Sequence, residues 1–194
     1  MVIGITGGMG CGKSTVARLF EPHGFTRMDS DEVIRTQVLT DKVVIEEIVS
    51  RYGQGMLAEN QSIHRGRLAS VVFENDSERE WLENQLHPRL FAVWREAFGT
   101  YPRWSWVIEV PLLFEKQLEN WFDFTLCVTT TAENQWVRLE KRGMTRAQAE
   151  LRISKQLPLA RKVELADFVI GNDGTTDFLR LQVERLVRRL AMPV

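Results

Sequence analysis

A chain of 194 residues that is 44% hydrophobic has enough apolar side chains for one good core and too little length for a second independent domain. Lys and Arg total 25 against 26 Asp and Glu, which excludes the broad basic face that duplex nucleic acid or an anionic membrane would need, so any basic site has to be local. Two cysteines, Cys11 and Cys127, exclude a disulfide framework; with no secretory leader in the opening run and no window long and apolar enough to span a bilayer, the expected setting is the cytoplasm.

Residues 2–6 read as a fully buried strand, the glycines after them as a loop, and residues 14–20 as a helix, because Val16, Ala17 and Phe20 recur at helical spacing. Residues 25–28, 106–110, 125–129 and 168–170 are short runs rich in apolar or β-branched side chains and read as strands two to five. Helical patterns fill most intervals, and the alternation predicts an α/β fold with a parallel sheet, helices on both faces and active groups at the carboxyl ends of the strands. About 75 residues separate the second strand from the third, far more than one crossover helix needs. Residues 30–104 are therefore expected to form a helical, substrate-side insert within a single domain spanning 1–194, with helices over 38–52, 67–73 and 77–98. A second irregularity covers residues 138–162, where basic side chains crowd short helical pieces, and reads as a lid. The six tryptophans are expected in the core or in domain packing.

The segment Gly7-Gly8-Met9-Gly10-Cys11-Gly12-Lys13-Ser14 fits G-x-x-x-x-G-K-[ST] between a strand and a helix, the setting of a Walker A loop. Glycines let the backbone curl until N–H groups converge on an anion, and the helix N-terminus adds its positive dipole end. Lys13 is expected on the β- and γ-phosphates of a nucleoside triphosphate and the Ser14 hydroxyl on Mg²⁺. Cys11 sits near the helix start, where a thiol pKa can fall, which opens a redox or nucleophilic role beside the plainer reading of a small loop residue.

The second strand runs into Asp29-Ser30-Asp31, two carboxylates near the catalytic edge of the sheet. Transfer of a phosphoryl group to an alcohol needs a group that accepts the hydroxyl proton, and Asp31 is the choice for that base, against the plainer use of either Asp as a cap for a helix starting near Glu32. Glu109 stands in an apolar strand, where a lone carboxylate is costly without a partner. A hydrated Mg²⁺ beside the loop would supply one through water; an ion pair with a buried Arg is the alternative. Arg138 and Arg142 lie four apart in a helical pattern, one face of which can present two guanidinium forks to phosphates, with Arg146 and Arg152 further along. In the insert, Arg35, Arg65 and His87 could hold an acceptor, although a lone histidine followed by Pro88 is more often a helix-end or packing residue.

Taken together these residues resemble the dephospho-coenzyme A kinase family over nearly the whole chain. The likeness runs through residues 6–15, Asp29-Ser30-Asp31 with Arg35, Leu86-His87-Pro88, Pro111-Leu112-Leu113 with Glu115, Gln135-x-x-Arg138, Gln156, and Ala166-Asp167 leading to Asn172-Asp173-Gly174. The resemblance implies a three-layer P-loop kinase fold of the nucleoside-monophosphate-kinase kind, with a five-stranded parallel sheet in the order 2-3-1-4-5, a helical acceptor subdomain and a lid. It implies phosphorylation of the 3′-hydroxyl of dephospho-coenzyme A by ATP with Mg²⁺, in a protein that is a monomer or small homo-oligomer. By that likeness Lys13, Asp31 and Arg138 match catalytic residues, Arg138 stabilising the transferring phosphoryl. Gly8, Gly10, Cys11, Gly12, Lys13, Ser14, Thr15, Arg142, Asn172 and Gly174 match the ATP site, the last two in the adenine-side loop. Asp31, Arg35, Arg65 and His87 match the acceptor side, and Ser14 with Glu109 the metal. Three departures stand out: Cys11 where many members carry Ser, a turn over residues 142–146 that is one residue short, and His64 where Asp is frequent before the Arg.

The nearest rival is another P-loop small-molecule kinase, since its ATP half would look alike. A nucleotide-controlled switch of the GTPase kind is disfavoured, because Asn-Lys-x-Asp and Asp-x-x-Gly are both missing.

Overall fold

The computed structural model describes residues 1–191, without the side chains at 73 and 74. In chain order, β1 (Val2–Gly7) leads into α1 (Lys13–Phe20) and β2 (Phe25–Asp29). The helices α2 (Ser30–Thr36), α3 (Lys42–Tyr52), α4 (Arg65–Glu74) and α5 (Asp76–Thr100) follow before β3 (Ser105–Glu109) and β4 (Phe124–Thr129). The chain closes with α6 (Ala132–Glu140), α7 (Arg146–Ile153), α8 (Leu159–Leu165), β5 (Phe168–Gly171) and α9 (Thr176–Ala191). The five strands form one parallel sheet in the order β2-β3-β1-β4-β5. The chain divides into two units, one over Ser30–Pro102 and the other made of the chain on either side of it.

In the sheet unit, Ile3 and Ile5 of the central strand are buried, as are Val16, Ala17 and Phe20 on one face of α1. These pack with Val107, Leu126, Val128 and Ile170 of the neighbouring strands and with Leu179, Val183 and Leu186 of α9 in one apolar cluster. Burying a side chain such as Phe20 is worth roughly 1.5–3 kcal/mol, so this cluster fixes the end of β1 from which the glycine loop departs. Trp104 departs from the expectation of a buried tryptophan: it is 47% exposed, just ahead of β3, with its ring 5.9 Å from that of Trp106.

The helical unit has its own core, with Val33, Val44, Ile48, Leu68, Leu82, Leu86, Leu90 and Trp94 all buried. Residues 38–52 are not one helix: a 3₁₀ turn over Val38–Thr40 ends at extended Asp41, whose carboxylate accepts the Val43 N–H at 2.8 Å and so starts α3 afresh. α4 begins at Arg65 because His64 supplies the cap, its Nδ1 accepting the Arg67 N–H at 3.3 Å, which is the service an Asp would give there. Pro88 is inside the 25-residue α5, not at its end, which corrects the helix-end reading of His87. The Arg51 guanidinium donates to both oxygens of Glu78 at 2.6 and 3.0 Å and the Tyr52 hydroxyl donates to the same carboxylate at 2.7 Å. These bonds, Arg51 first, hold the Glu78 carboxyl down at about 2, while desolvation and then Glu78 push the Tyr52 phenol up to about 12.

Trp94 is fully buried in α5, so Trp94→Ala is expected to cost about 3–5 kcal/mol of stability, read as a drop in the denaturant midpoint.

Candidate active site

The turn between β1 and α1 works by dividing the two ends of its peptides. Gln135 Nε2 donates to the Met9 carbonyl at 2.5 Å, and Arg138 Nη1 to those of Gly10 and Cys11 at 3.4 and 3.3 Å. Asn172 Nδ2 donates to the Cys11 carbonyl at 2.8 Å, and Lys13 Nζ to Gly7 and Gly8 at 3.1 Å each. In a planar trans peptide the N–H points opposite the C=O, so the N–H groups of Gly10 and Gly12 face away from the Gln135, Arg138 and Asn172 donors. The first amides of α1 add to them, since a helix start leaves such N–H groups without intrahelical acceptors; the Thr15 N–H is already spent on the Gly12 carbonyl at 3.0 Å. Gly12 sets the entry to α1 at φ 94°, and a Cβ there would run into the Asn172 amide.

A polar cluster stands beside this loop. The Ser14 hydroxyl donates to Glu109 Oε2 at 2.7 Å and Arg27 Nη1 donates to Oε1 at 3.0 Å, with Glu109 only 3% exposed. Asp29 is the register partner of Glu109 across β2 and β3. Glu109 thus has the Arg partner that was left open from sequence, and also touches the hydroxyl expected on the metal. Both carboxylate oxygens are engaged but each keeps a second lone pair. That donor set fits a hydrated Mg²⁺ approached through water rather than direct carboxylate ligation. Among the described residues no group of three or more His, Cys, Asp and Glu is placed to hold a metal.

The segment after β5 and the helix after β4 are locked together at the back of the loop. Asp173 Oδ1 accepts the Thr131 N–H at 2.6 Å, the Thr130 hydroxyl at 2.8 Å and the Asn134 amide at 3.3 Å, and these bonds, the Thr131 N–H first, hold its carboxyl below the usual range. Arg138 Nη2 donates to the Asn172 carbonyl at 2.7 Å. Gly174 lies in the exposed turn that follows, and Thr15 is exposed on the first turn of α1.

Two readings need correction. α6 ends at Glu140, so Arg142 lies in the turn beyond it, where its N–H bonds the Leu139 carbonyl at 3.0 Å; it does not share a helical face with Arg138. Cys11 is fully buried, and burial pushes its thiol up against the opposing pull of Lys13, which removes the basis for an activated thiolate.

The acceptor-side residues all fall in the helical unit, on three helices. Asp31 and Arg35 are exposed one turn apart on α2, with Arg35 3.3 Å from Glu32. Arg65 is the exposed first residue of α4, while Arg67 bonds the carbonyls of Gly55 and Leu57 at 2.7 and 3.2 Å. His87 is half-buried on α5, its ring 5.8 Å from Phe91. Sequence reasoning missed Arg27 and Asp173. For Arg27 the only signal was that Glu109 needed a cation; for Asp173 it was its place in a quoted motif.

A family model described as dephospho-CoA kinase matches residues 1–177. The chain belongs to the dephospho-CoA kinase family. A dephospho-CoA kinase of Thermosynechococcus vestitus is 37% identical over 185 residues, covering 94% of this chain and 91% of that protein. A protein of known structure from Thermus thermophilus superposes with a TM-score of 0.84 at 28% identity, over 99% of this chain and 98% of its own. The structure of a dephospho-CoA kinase from Campylobacter jejuni gives 0.72 at 22% identity, over 98% and 96%, and shows the same fold. As a dephospho-CoA kinase family member the protein is a kinase with a P-loop nucleotide-binding fold. Among the described residues no helix is long and apolar enough to cross a membrane.

Gly12→Ala is expected to lower ATP affinity more than about tenfold, because the positive φ costs about 1–2 kcal/mol and the new methyl displaces Asn172. Adding Asn172→Ala removes the collision together with the donor to the Cys11 carbonyl, so isothermal titration should show no recovery of affinity in the pair. With both thiols buried and Cys127 pushed up to about 11 by desolvation, an alkylating reagent at neutral pH should label neither cysteine in native protein and both after denaturation, as read by mass spectrometry.

Proposed function

We propose that this kinase transfers the γ-phosphoryl group of ATP to the 3′-hydroxyl of dephospho-coenzyme A, releasing ADP and coenzyme A. The observation that carries the reading is the loop over residues 7–12, whose carbonyls are held by Gln135, Arg138, Asn172 and Lys13 so that amides are left for a phosphate chain. Lys13 would follow the negative charge of the transferring group, and Gly8, Gly10, Cys11, Gly12, Ser14 and Thr15 would surround the phosphates through backbone and hydroxyl groups. Asn172 and Gly174 would border the adenine. Arg138 would act beside the loop it braces, and Arg142 would reach phosphate from its turn. Asp31 would accept the proton of the acceptor hydroxyl, with Arg35, Arg65 and His87 on the acceptor's phosphates and base.

Mg²⁺ would be held by Ser14 directly and Glu109 through water, and supplies charge neutralisation of the β- and γ-phosphate oxygens when bound. Of residues 138–162, the stretch beyond Arg138, which is itself bound to the loop, is proposed to close over the phosphates and keep out water, which would otherwise hydrolyse ATP.

The test is ADP release with a panel of acceptors: kcat/KM for dephospho-coenzyme A should exceed that for adenosine, AMP or shikimate by at least about 100-fold. Equal use of free nucleosides would sink the assignment of acceptor. Asp31→Asn should lower kcat by about 100-fold or more with ATP affinity retained, whereas Lys13→Ala should lower both. Loss of ATP affinity in Asp31→Asn would show that the base lies elsewhere.

A further inference from the structure

Lys162 has 0% side-chain exposure, an unusual place for an ammonium. It lies on α8, which packs against β1 and β4, and donates to Glu115 Oε1 at 2.8 Å and to the Pro111 carbonyl at 2.7 Å. Each acceptor ties in a further piece of chain. Glu115 Oε1 also accepts the N–H of Leu157, in the connection between α7 and α8, at 2.9 Å. The Pro111 carbonyl also accepts the hydroxyl of Thr6, one residue before the glycine loop, at 3.2 Å. Glu115 Oε2 is buried without a hydrogen-bond partner.

Stability does not explain such a pair. Taking both charges out of water costs several kcal/mol each, one carboxylate oxygen recovers nothing, and well-packed apolar residues often serve as well in such a place. What apolar residues could not do is hold the Leu157 N–H and the Pro111 carbonyl in fixed relation. That matters because α7 buries only Ala149, leaving Leu151 60% and Ile153 36% exposed. A helix with so little burial is positioned largely by its ends.

We propose that Lys162 and Glu115 form a fixed pivot for residues 138–162, a positioning pair that sets the basic α7 segment relative to Ser14 on the first turn of α1 and Glu109 at the end of β3. The pivot rests on the kinase reading above, since its consequence is the rate of phosphoryl transfer.

The test compares wild type, Lys162→Met, Glu115→Gln and the double variant Lys162→Met/Glu115→Leu. Lys162→Met leaves a buried carboxylate uncompensated and is expected to lower the melting temperature; the double variant removes that charge and should recover most of the loss. In the double variant kcat for dephospho-coenzyme A should still be about 10- to 100-fold down, with the KM for ATP within about threefold of wild type. Glu115→Gln keeps an oxygen that can accept both the Lys162 ammonium and the Leu157 N–H, so its kcat and cleavage rate should lie nearer to wild type than those of the double variant. Trypsin cleavage after Arg152 and Lys155, read by mass spectrometry, should be at least about fivefold faster in the double variant than in wild type. A double variant with wild-type kcat, or with wild-type cleavage, would reduce the pair to packing and overturn the proposal. If wild type itself failed to phosphorylate dephospho-coenzyme A, the proposed function would fall, and the cleavage comparison would still decide the pivot.

Discussion

A peptide group cannot offer its N–H to a phosphate without turning its carbonyl the other way, and that carbonyl then needs a donor. Much of the sheet unit answers this requirement. α6 brings Gln135 and Arg138 to the carbonyls of Met9, Gly10 and Cys11, and the residue after β5, Asn172, adds a second donor to Cys11. Asp173 then binds the start of α6 to the segment that carries Asn172, so the donors are themselves held in place. The phosphate loop is shaped less by its own glycines than by two distant stretches of chain, one about 125 residues on and the other about 160, brought together because β4 and β5 follow β1 in the sheet.

Two carboxylates, Glu109 at the end of β3 and Glu115 in the turn that follows, are engaged in different ways. Glu109 shares its oxygens between Arg27 and Ser14, a fully engaged group whose remaining lone pairs suit water on a cation. Glu115 loads one oxygen with Lys162 and Leu157 and leaves the other buried and unpartnered. The first arrangement is what charge burial ordinarily demands; the second has a cost that only a geometric constraint offsets.

The fold was legible because the strands are short and rich in apolar side chains and all but β3 lead into a helical pattern, which leaves little besides a parallel sheet. The loop was legible because its residues are adjacent in sequence. Arg27 and Asp173 were not, since a partner for Glu109 could come from any strand and an acceptor for the Thr131 N–H from any loop; contact order hides them. Arg142 was misplaced by extrapolating helical periodicity past a real boundary: Gly143, at φ 76°, closes the turn after α6, and nothing in the spacing of two arginines registers that. His64 shows the reverse case, in which a changed residue type keeps the local function because a ring nitrogen accepts the same N–H.

Arg138 carries the largest tension between role and place. The resemblance gives it the role of stabilising the transferring phosphoryl, yet its guanidinium is bound at 2.7 Å to the Asn172 carbonyl and lies on two carbonyls of the loop. Releasing a charge-assisted bond costs about 1.5–3 kcal/mol, which would subtract from whatever the new contact supplied. A fixed cation escapes that cost. Its field acts on any phosphate held by the loop without reorganisation during transfer, and electrostatic preorganisation is most effective when the charge is already in place. Braced as it is, Arg138 is better suited to shaping the donor site and its potential than to travelling with the reacting group.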